Sequence, residues 1–249
     1  MIPKIIHYCW MSGDTYPEKI KKCIDSWKKN LPDYDFILWD AKRFNVEQSI
    51  WVKEAYEAKK YAFCADYIRL YALYNYGGIY LDSDIEVVKP YDDLLNLPYF
   101  IGLESKGYFE AATIGAEKNN IFIGEILRYY ENRHFIAPDG EQRITVMPQV
   151  MMEVLENNYR LNIINSISSF DYDAKVINAF APDWFSPIDS SGKRYVLRVT
   201  KNTYSIHHFV SAWVDWKVKL LVWIFGLNSP TRLRLQKIAK SIKKWLKNR

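Results

Sequence analysis

The chain has 249 residues, of which 49% are apolar and 25% charged; this composition excludes a disordered chain and predicts a globular protein with a sizeable core. Its net charge of +5 is uneven, because residues 214–249 carry ten Lys or Arg and a single acid, a net of +9, which leaves −4 for residues 1–213. We therefore expect a mildly acidic body and a strongly basic tail with different roles.

No apolar run approaches the roughly 20 residues that a transmembrane helix needs. The first residues, MIPKIIHYCW, lack a charged leader ahead of a long apolar run. They predict a strand rather than a signal peptide. The three cysteines, Cys9, Cys23 and Cys64, are few, odd in number and without metal-site spacing, and they indicate a reducing compartment.

The first 60 residues predict the β-loop-α-β opening of an α/β domain. A strand ends at Trp10, and a helix starts at Pro17 with apolar positions at helical spacing through Trp27. The run DFILWD predicts a buried strand, and residues 47–60 predict a further helix.

The helix predicted for YAFCADYIRLYALYNYGG stops at Gly77 and Gly78, and it leads into the strand-like run IYLDSDIEVVKP. The runs YFIGLE and EAATIGA predict strands, and residues 120–132 and 148–157 predict helices. Residues 161–201 are irregular, and TYSIHHFVSAW predicts a late strand. This order of strands and helices is typical of an α/β domain.

Two carboxylates, Asp82 and Asp84, end the apolar run that follows the glycine pair. Alternate residues of a strand share a face, so these acids and Glu86 would point the same way if the strand continued. Neighbouring buried carboxylates repel one another. That repulsion indicates a cation between them, and hard oxygen ligands favour Mg²⁺ or Mn²⁺. Such a cation can bridge a diphosphate, and ligands tend to bind at the ends of α/β strands.

Two other interpretations of this D-x-D run stay open. A solvated strand end has the same appearance, since the pattern is common by chance. Haloacid-dehalogenase-type phosphatases also end a strand in D-x-D and use the first acid, here Asp82, as a nucleophile. Those enzymes usually place it on the first strand of the domain, whereas here a long stretch of α/β pattern precedes it.

The block from Ala55 to Pro90 resembles the signature of glycosyltransferase family 32, which includes bacterial polysaccharide transferases and yeast mannosyltransferases and is related to the glucosylating clostridial toxins. The runs IPKIIHYCW, CIDSWKKNLPDYDFILWD and NTYSIHHFVSAW match in the same order. The resemblance covers roughly residues 1–213 and leaves the tail outside. It implies a catalytic domain over residues 1–213 with the GT-A nucleotide-diphospho-sugar transferase fold, a Rossmann-like mixed sheet flanked by helices.

The resemblance also implies a nucleotide-sugar donor, a divalent metal (Mn²⁺ or Mg²⁺) and retention of the anomeric configuration. Asp82 is similar to the acid that touches the donor ribose and a metal-bound water, and Asp84 to the direct metal ligand. Asp66 and Arg69, in CADYIRLYAL, are similar to the pair that holds the donor sugar. Trp10 is similar to the ring that stacks on the nucleotide base. Asp66, Arg69 and Asp84 would then form the catalytic group.

In HHFVSAW, the resemblance implies that His208 is a metal ligand, Ser211 a metal or phosphate contact and Trp213 an indole donor to the phosphate. His207 and His208 are neighbours on a strand and face opposite ways, so only one of them can reach the metal. The spacing to Ser211 and Trp213 favours His208.

Each assignment has a plainer alternative. Asp66 and Arg69 lie one helical turn apart and could form a surface ion pair worth a few tenths of a kcal/mol. Trp10 could belong to the core, and a lone strand histidine is more often structural than a ligand. The weaker site candidates are Glu86, Glu104 and Glu110.

No residue stands out as a covalent nucleophile, so we expect front-face attack by the acceptor hydroxyl, with the donor phosphate accepting the proton. The family often has a Gly-Pro element before the helix near residue 148, and this chain has Met147 in place of that Gly. This region is expected to contribute to the acceptor or sugar pocket, so donor and acceptor identity do not transfer. A UDP-hexose is favoured as the donor, and GDP-mannose is the other option.

The tail, residues 214–249, predicts a basic amphipathic helical segment, with Lys and Arg flanking an apolar stripe over residues 229–247. This pattern is typical of an interfacial anchor on anionic lipid. A helical pair that closes over the core and a dimer contact stay open as alternatives. Nucleic-acid binding is disfavoured.

The sequence thus predicts a metal-dependent retaining transferase that moves a hexose to a glycan or lipid-linked glycan acceptor. We expect it in the cytoplasm, peripheral on the inner face of a bacterial cytoplasmic membrane, in the synthesis of capsule, lipopolysaccharide or another surface polysaccharide. The alternatives are a D-x-D metal-dependent phosphohydrolase and a non-catalytic glycan- or lipid-binding protein.

Overall fold

A computed structural model describes residues 1–189 and 196–210. The helices are α1 (Glu18–Asn30), α2 (Ile50–Glu57), α3 (Tyr61–Tyr76), α4 (Ile121–Arg128) and α5 (Met147–Leu155). The strands are β1 (Ile5–Cys9), β2 (Asp35–Trp39), β3 (Gly78–Leu81), β4 (Ile85–Val87), β5 (Tyr99–Leu103), β6 (Phe109–Ala116), β7 (Arg160–Ile164), β8 (Val176–Phe180), β9 (Ile188–Asp189), β10 (Val196–Leu197) and β11 (Ser205–His207).

The centre of the fold is a seven-stranded mixed sheet in the order β2-β1-β3-β6-β5-β8-β7. Strand β1 is parallel to β2 and β3, whereas β6 runs antiparallel between β3 and β5. Strands β4 and β11 form a separate antiparallel pair, as do β9 and β10. The prediction of an α/β protein with a Rossmann-like mixed sheet flanked by helices is therefore confirmed.

The carboxyl ends of β1 and β3 lie side by side, because the two strands are parallel neighbours in register, with Ile6 opposite Ile79. The residues that follow each strand therefore meet at one edge of the sheet. Trp10 follows β1 and the D-x-D run follows β3, so the topology brings these two predicted groups to the same edge.

One expectation about the D-x-D run is wrong. The strand does not continue through it: β3 ends at Leu81, and the next residues form a turn in which the Ile85 amide donates to the Asp82 carbonyl at 3.0 Å. Glu86 then lies on β4, in a different sheet. The two aspartates are thus presented by a turn, which frees their side chains from strict strand alternation.

The glycine pair explains how α3 and β3 join without a linker. Gly77 and Gly78 both have positive φ, 69° and 110°, a region that favours glycine. A Cβ at Gly78 would lie 2.6 Å from the Ile5 carbonyl oxygen, and one at Gly77 would lie 2.7 Å from the Lys118 amide nitrogen. The predicted helix stop is confirmed, and its tight geometry sets β3 directly against β1.

The core contains a fully buried histidine on β1. His7 accepts a hydrogen bond at Nδ1 from the Trp39 indole N–H at 3.1 Å, and its Nε2–H donates to the Gly77 carbonyl at 2.8 Å. Both ring nitrogens are therefore satisfied in the neutral form. Burial lowers the pKa of His7 to about 4; the Gly77 carbonyl opposes this and the charge of Arg43 adds to it.

The three cysteines are buried and unpaired thiols. Within residues 1–189 and 196–210, no helix has both the length and the apolar character needed to cross a bilayer. The predicted boundary at residue 213 and the whole of the predicted tail, residues 214–249, lie outside the described residues.

Candidate active site

The predicted sugar-holding pair lies on α3, directly behind the D-x-D turn. Asp66 and Arg69 are 7% and 5% exposed, so the surface ion pair is excluded. The Arg69 guanidinium contacts Asp66 Oδ1 at 3.0 Å and Asp82 Oδ1 at 3.3 Å through Nη2. Its Nη1 donates to the Ala111 carbonyl at 2.5 Å. One arginine therefore joins helix α3, the D-x-D turn and strand β6.

Tyr80 is a site residue that the sequence analysis missed. Its hydroxyl donates to Asp82 Oδ1 at 2.8 Å, and the Arg69 guanidinium lies 4.7 Å from the centre of its ring. Tyr80 lies two residues before Asp82, and alternation along the apolar run that contains both could have indicated a shared face. Its neighbours in that run, Ile79 and Leu81, are apolar, a pattern that is also typical of a core strand.

The pKa values of Asp66 and Asp82 are both raised above those of free carboxyl groups. Burial raises the pKa of Asp82, and the nearby Asp84 charge adds to this, against the opposing effect of Arg69. Burial likewise raises the pKa of Asp66 to about 7, again opposed by Arg69 and reinforced by Asp82. The arginine alone therefore does not compensate the acids, and a further positive charge would be stabilised here.

The histidine that lies beside these acids is His207, whereas the sequence predicted His208 as the metal ligand. Ligand atoms of Asp82, Asp84 and His207 all lie within 4.8 Å of one another, and His207 Nε2 is 3.7 Å from Asp84 Oδ1. His208 Nε2 instead contacts Glu86 Oε2 at 2.7 Å and Lys19 Nζ at 3.2 Å.

The register of β11 against β4 explains this choice. The predicted opposite orientation of the two histidines is confirmed. His207 lies opposite Ile85, whose side chain is fully buried, so its ring points inward beside the turn. Ile206 lies opposite Glu86, so His208 shares the outer face with Glu86 and meets it as a diagonal neighbour.

Glu110, only a weak candidate from the sequence, lies fully buried behind His207. Both of its carboxylate oxygens are 3.2 Å from His207 Nδ1, and Oε1 accepts the Ala112 amide at 2.8 Å. Burial raises the pKa of Glu110, but the charge and hydrogen bond of His207 outweigh it and hold that pKa below its usual value. Burial lowers the pKa of His207, and Glu110, with Asp84 and Asp82, reverses this and raises it to about 9.

Asp82, Asp84 and His207 fit a divalent cation. Mg²⁺ and related ions hold their ligands at about 2.1 Å, so ligand atoms on opposite sides of the ion lie about 4.2 Å apart. The cluster is close to that size before any ion draws it together. Two carboxylates and an imidazole are suitable donors for Mn²⁺, and for Mg²⁺ with water completing the shell.

Trp10 is partly exposed at the sheet edge, so it is not a core residue. Its indole N–H donates to the Asp14 carbonyl at 2.7 Å, and its ring meets Tyr16 edge to face at a centroid distance of 4.9 Å. Its stacking on a nucleotide base stays a prediction. Ser211 and Trp213 lie outside the described residues, so their predicted roles are untested as well.

Comparison with known proteins bears directly on this region. Residues 17–101 match the family described as a glycosyltransferase sugar-binding region containing the DXD motif. This part of the chain is similar to that family. The matched segment runs from the start of α1 into β5 and contains Asp66, Arg69, Asp82 and Asp84. The match favours the transferase interpretation of the D-x-D turn over a phosphohydrolase.

The curated relatives include two yeast proteins whose names refer to a mannosyl group and to a phosphorylated inositol ceramide. Inositol phosphoceramide mannosyltransferase 3 of Schizosaccharomyces pombe is 33% identical over 146 residues, which cover 54% of this chain and 40% of the relative. Mannosyl phosphorylinositol ceramide synthase SUR1 of Saccharomyces cerevisiae is 37% identical over 108 residues, 41% of this chain and 27% of the relative. The chain thus spans well under half the length of these relatives.

Solved glycosyltransferase structures are also similar. PaToxG glycosyltransferase is 25% identical, with a TM-score of 0.48 over 63% of this chain and 68% of that one. Galactosyltransferase LgtC, in complex with donor and acceptor sugar analogues, is 14% identical, with a TM-score of 0.46 over 84% of this chain and 88% of that one.

Proposed function

We propose that this protein is a metal-dependent retaining glycosyltransferase that moves a hexose from a nucleotide-sugar to a glycan or lipid-linked glycan. The observation that carries this proposal is that the buried residues Asp66 and Arg69 contact the D-x-D turn through Asp82, and that Asp82 and Asp84 lie beside His207. The two aspartates of the turn, Asp66 and Arg69 all fall within the segment that matches the family. A site at a sheet edge whose carboxylates outnumber its cationic side chains suits a cation together with the diphosphate it neutralises.

Asp82, Asp84 and His207 would hold the metal, and Mn²⁺ or Mg²⁺ bound there would supply electrostatic stabilisation of the departing diphosphate. Arg69 holds Asp66 and Asp82 in fixed positions, since its guanidinium contacts both. Asp66 would then accept hydrogen bonds from donor-sugar hydroxyls. Fixing these acceptors before the substrate binds avoids the cost of ordering them during the reaction.

The proposed reaction has no covalent sugar–enzyme intermediate. The acceptor oxygen bonds to the anomeric carbon on the face that the diphosphate leaves, the carbon–oxygen bond to phosphate breaks, and the acceptor proton passes to a phosphate oxygen. Asp82, an obvious carboxylate near the reaction, is already engaged by Tyr80 and Arg69. Isolation of a glycosyl adduct on a carboxylate would contradict this route.

The donor and acceptor are proposed as classes. A UDP-hexose remains the favoured donor, and the mannosyltransferase names of the yeast relatives support GDP-mannose as the competing one. Those names also refer to a phosphorylated ceramide, which supports a lipid-linked acceptor as a class. A role in bacterial capsule, lipopolysaccharide or other surface polysaccharide synthesis is part of the same proposal.

The basic tail, residues 214–249, is proposed to bind the anionic inner face of the cytoplasmic membrane, and its net charge of +9 supports this. Removing residues 214–249 should abolish co-sedimentation with vesicles containing anionic lipid. Vesicles of neutral lipid are the control, because electrostatic binding should be weak on them with or without the tail. Unchanged co-sedimentation after truncation would refute the membrane role.

The deciding experiment is a calorimetry and thermal-shift panel of UDP, GDP, CMP and dTDP sugars, with and without Mn²⁺. We expect metal-dependent binding of one nucleotide, lost in Asp84→Ala. The matched control is Asp25→Ala, which removes an exposed acid on α1 and should leave binding intact. If no nucleotide binds with any metal, the glycosyltransferase proposal fails.

A further inference from the structure

Glu110 is a carboxylate in an unusual position. It lies on β6 with no solvent-exposed surface, although burying a charge is costly unless that charge is paired. Strand β6 runs beside β3 and past its end, since the Asp82 amide donates to the Ala112 carbonyl at 2.8 Å. Glu110 therefore lies next to the D-x-D turn, on the far side of His207 from the aspartates.

The contacts of Glu110 fix which nitrogen of His207 faces the acids. A carboxylate only accepts hydrogen bonds, so the ring nitrogen at 3.2 Å from it, Nδ1, must carry a hydrogen. The other nitrogen, Nε2, then lies on the side of Asp84, 3.7 Å from its Oδ1. In the neutral ring that has Nδ1–H, Nε2 carries the lone pair that a metal requires.

The orientation of the His207 ring plane is fixed, in addition to the tautomer of the ring. Phe209 stacks on His207 with ring centroids 3.9 Å apart and an interplanar angle of 27°. The imidazole is thus held at Nδ1 by the carboxylate and on one face by an aromatic ring. Carboxylate–histidine pairs of this kind orient ligands and raise their basicity in metal sites.

We propose that Glu110 is the positioning residue of the metal site: it holds His207 with Nδ1–H toward itself and Nε2 toward the ion shared with Asp82 and Asp84. This inference rests on the proposed function. The competing explanation is that Glu110 and His207 are a buried ion pair that only stabilises the contact between β6 and β11.

The test measures Mn²⁺ affinity by electron paramagnetic resonance on the full chain, without nucleotide. We expect Glu110→Gln, which keeps the length but loses the charge, to weaken Mn²⁺ binding by roughly 10- to 100-fold, as loss of such partners does elsewhere. His207→Ala should weaken it at least as much. The double variant should bind no worse than His207→Ala, because Glu110 acts only through the ring.

A matched control separates positioning from stability. Thr113, also buried on β6, has its Oγ1 3.3 Å from the Ser205 hydroxyl on β11. Thr113→Val removes that link between the same two strands without touching His207, so it should lower the melting temperature and leave the Mn²⁺ affinity unchanged. If Glu110→Gln behaves like Thr113→Val, the positioning role is overturned.

A measurement on the wild type covers the case in which Glu110→Gln does not fold. The chain has four histidines, so a ¹H–¹⁵N spectrum of ring nitrogens, assigned with His207→Ala, can be read directly. We expect His207 to keep Nδ1–H when Mg²⁺ is added, while its Nε2 resonance shifts. A ring that loses the Nδ1 proton would overturn the inference. If the wild type binds Mn²⁺ and Glu110→Gln binds it with the same affinity, only the proposed role of Glu110 is overturned. If the wild type binds neither metal nor nucleotide, the proposed function is overturned too.

Discussion

The two histidines His7, which is fully buried, and His207, which is mostly buried, show that burial by itself does not decide the charge of a side chain. Burial lowers the pKa of both. His7 has a carbonyl and an indole N–H as partners, and it stays neutral with a pKa of about 4. His207 faces Glu110 and the D-x-D acids, which reverse the effect of burial and raise its pKa to about 9.

The surroundings of His7 and those of His207 differ in the same way. Both ring nitrogens of His7 are paired with neutral groups, as burial in a core requires. Around His207 the fold gathers carboxylates whose charges a single arginine does not balance. His7 therefore needs no further partner, whereas a positive ligand would stabilise the acids beside His207. Three substitutions test this comparison.

The largest effect is expected for Arg69→Met. Removing the arginine leaves Asp66 buried, and Asp82 partly buried, without their partner. Loss of one member of a buried pair costs about 3–5 kcal/mol of the free energy of unfolding. Metal-dependent nucleotide binding should disappear as well, because both carboxylates lose their fixed positions. Urea denaturation and calorimetry measure the two effects. A loss below about 1 kcal/mol would show that the acids at this edge are solvated after all.

A smaller effect is expected from the protonation of His7. Its pKa is about 4 in the folded protein and about 6.5 when unfolded. Between these values the unfolded chain binds more protons, so stability should fall as the pH drops from 6.5 to 4, by on the order of 3 kcal/mol in total. Protonation at Nδ1 would place a hydrogen against the Trp39 indole N–H.

The difference in stability between wild type and His7→Gln at each pH isolates this effect. We expect the difference to shrink as the pH falls through that window, because the glutamine cannot titrate. His134→Gln is the control, since His134 is a half-exposed partner of Glu54. A wild-type advantage that stays constant from pH 7 to 4 would mean that His7 is not held neutral by its partners.

The smallest effect is expected for Arg160→Met. Arg160 Nη2 lies 3.0 Å from Asp171 Oδ2, the same distance that separates Arg69 Nη2 from Asp66 Oδ1. Its side chain is 66% exposed, however, against 5% for Arg69, and exposed pairs contribute only about 0.2–1 kcal/mol. Comparing the losses of unfolding free energy in Arg69→Met and Arg160→Met, measured in one denaturation series, therefore shows the effect of burial at a constant ion-pair distance. Equal losses in the two variants would contradict the conclusion that burial makes the ion pair of Arg69 costlier to break than that of Arg160.

Several features of the site could be predicted from the sequence because they depend on neighbours in the chain. The spacing of Asp66 and Arg69 places them on one helical face, and the glycine pair stops α3 before β3. The acids then follow an apolar strand, which predicts a ligand site at a sheet edge. Each of these follows from local geometry that a short segment carries wherever it folds.

The tertiary structure decided the rest, because those features depend on pairings between distant segments. Burial of Asp66 and Arg69 depends on the strands that cover α3, and it changes a weak surface pair into a costly internal one. Alternation predicts that His207 and His208 face opposite ways, but only the register of β11 against β4 turns His207 inward. Glu110 was only a weak candidate from the sequence, since it lies 97 residues from the histidine that it contacts.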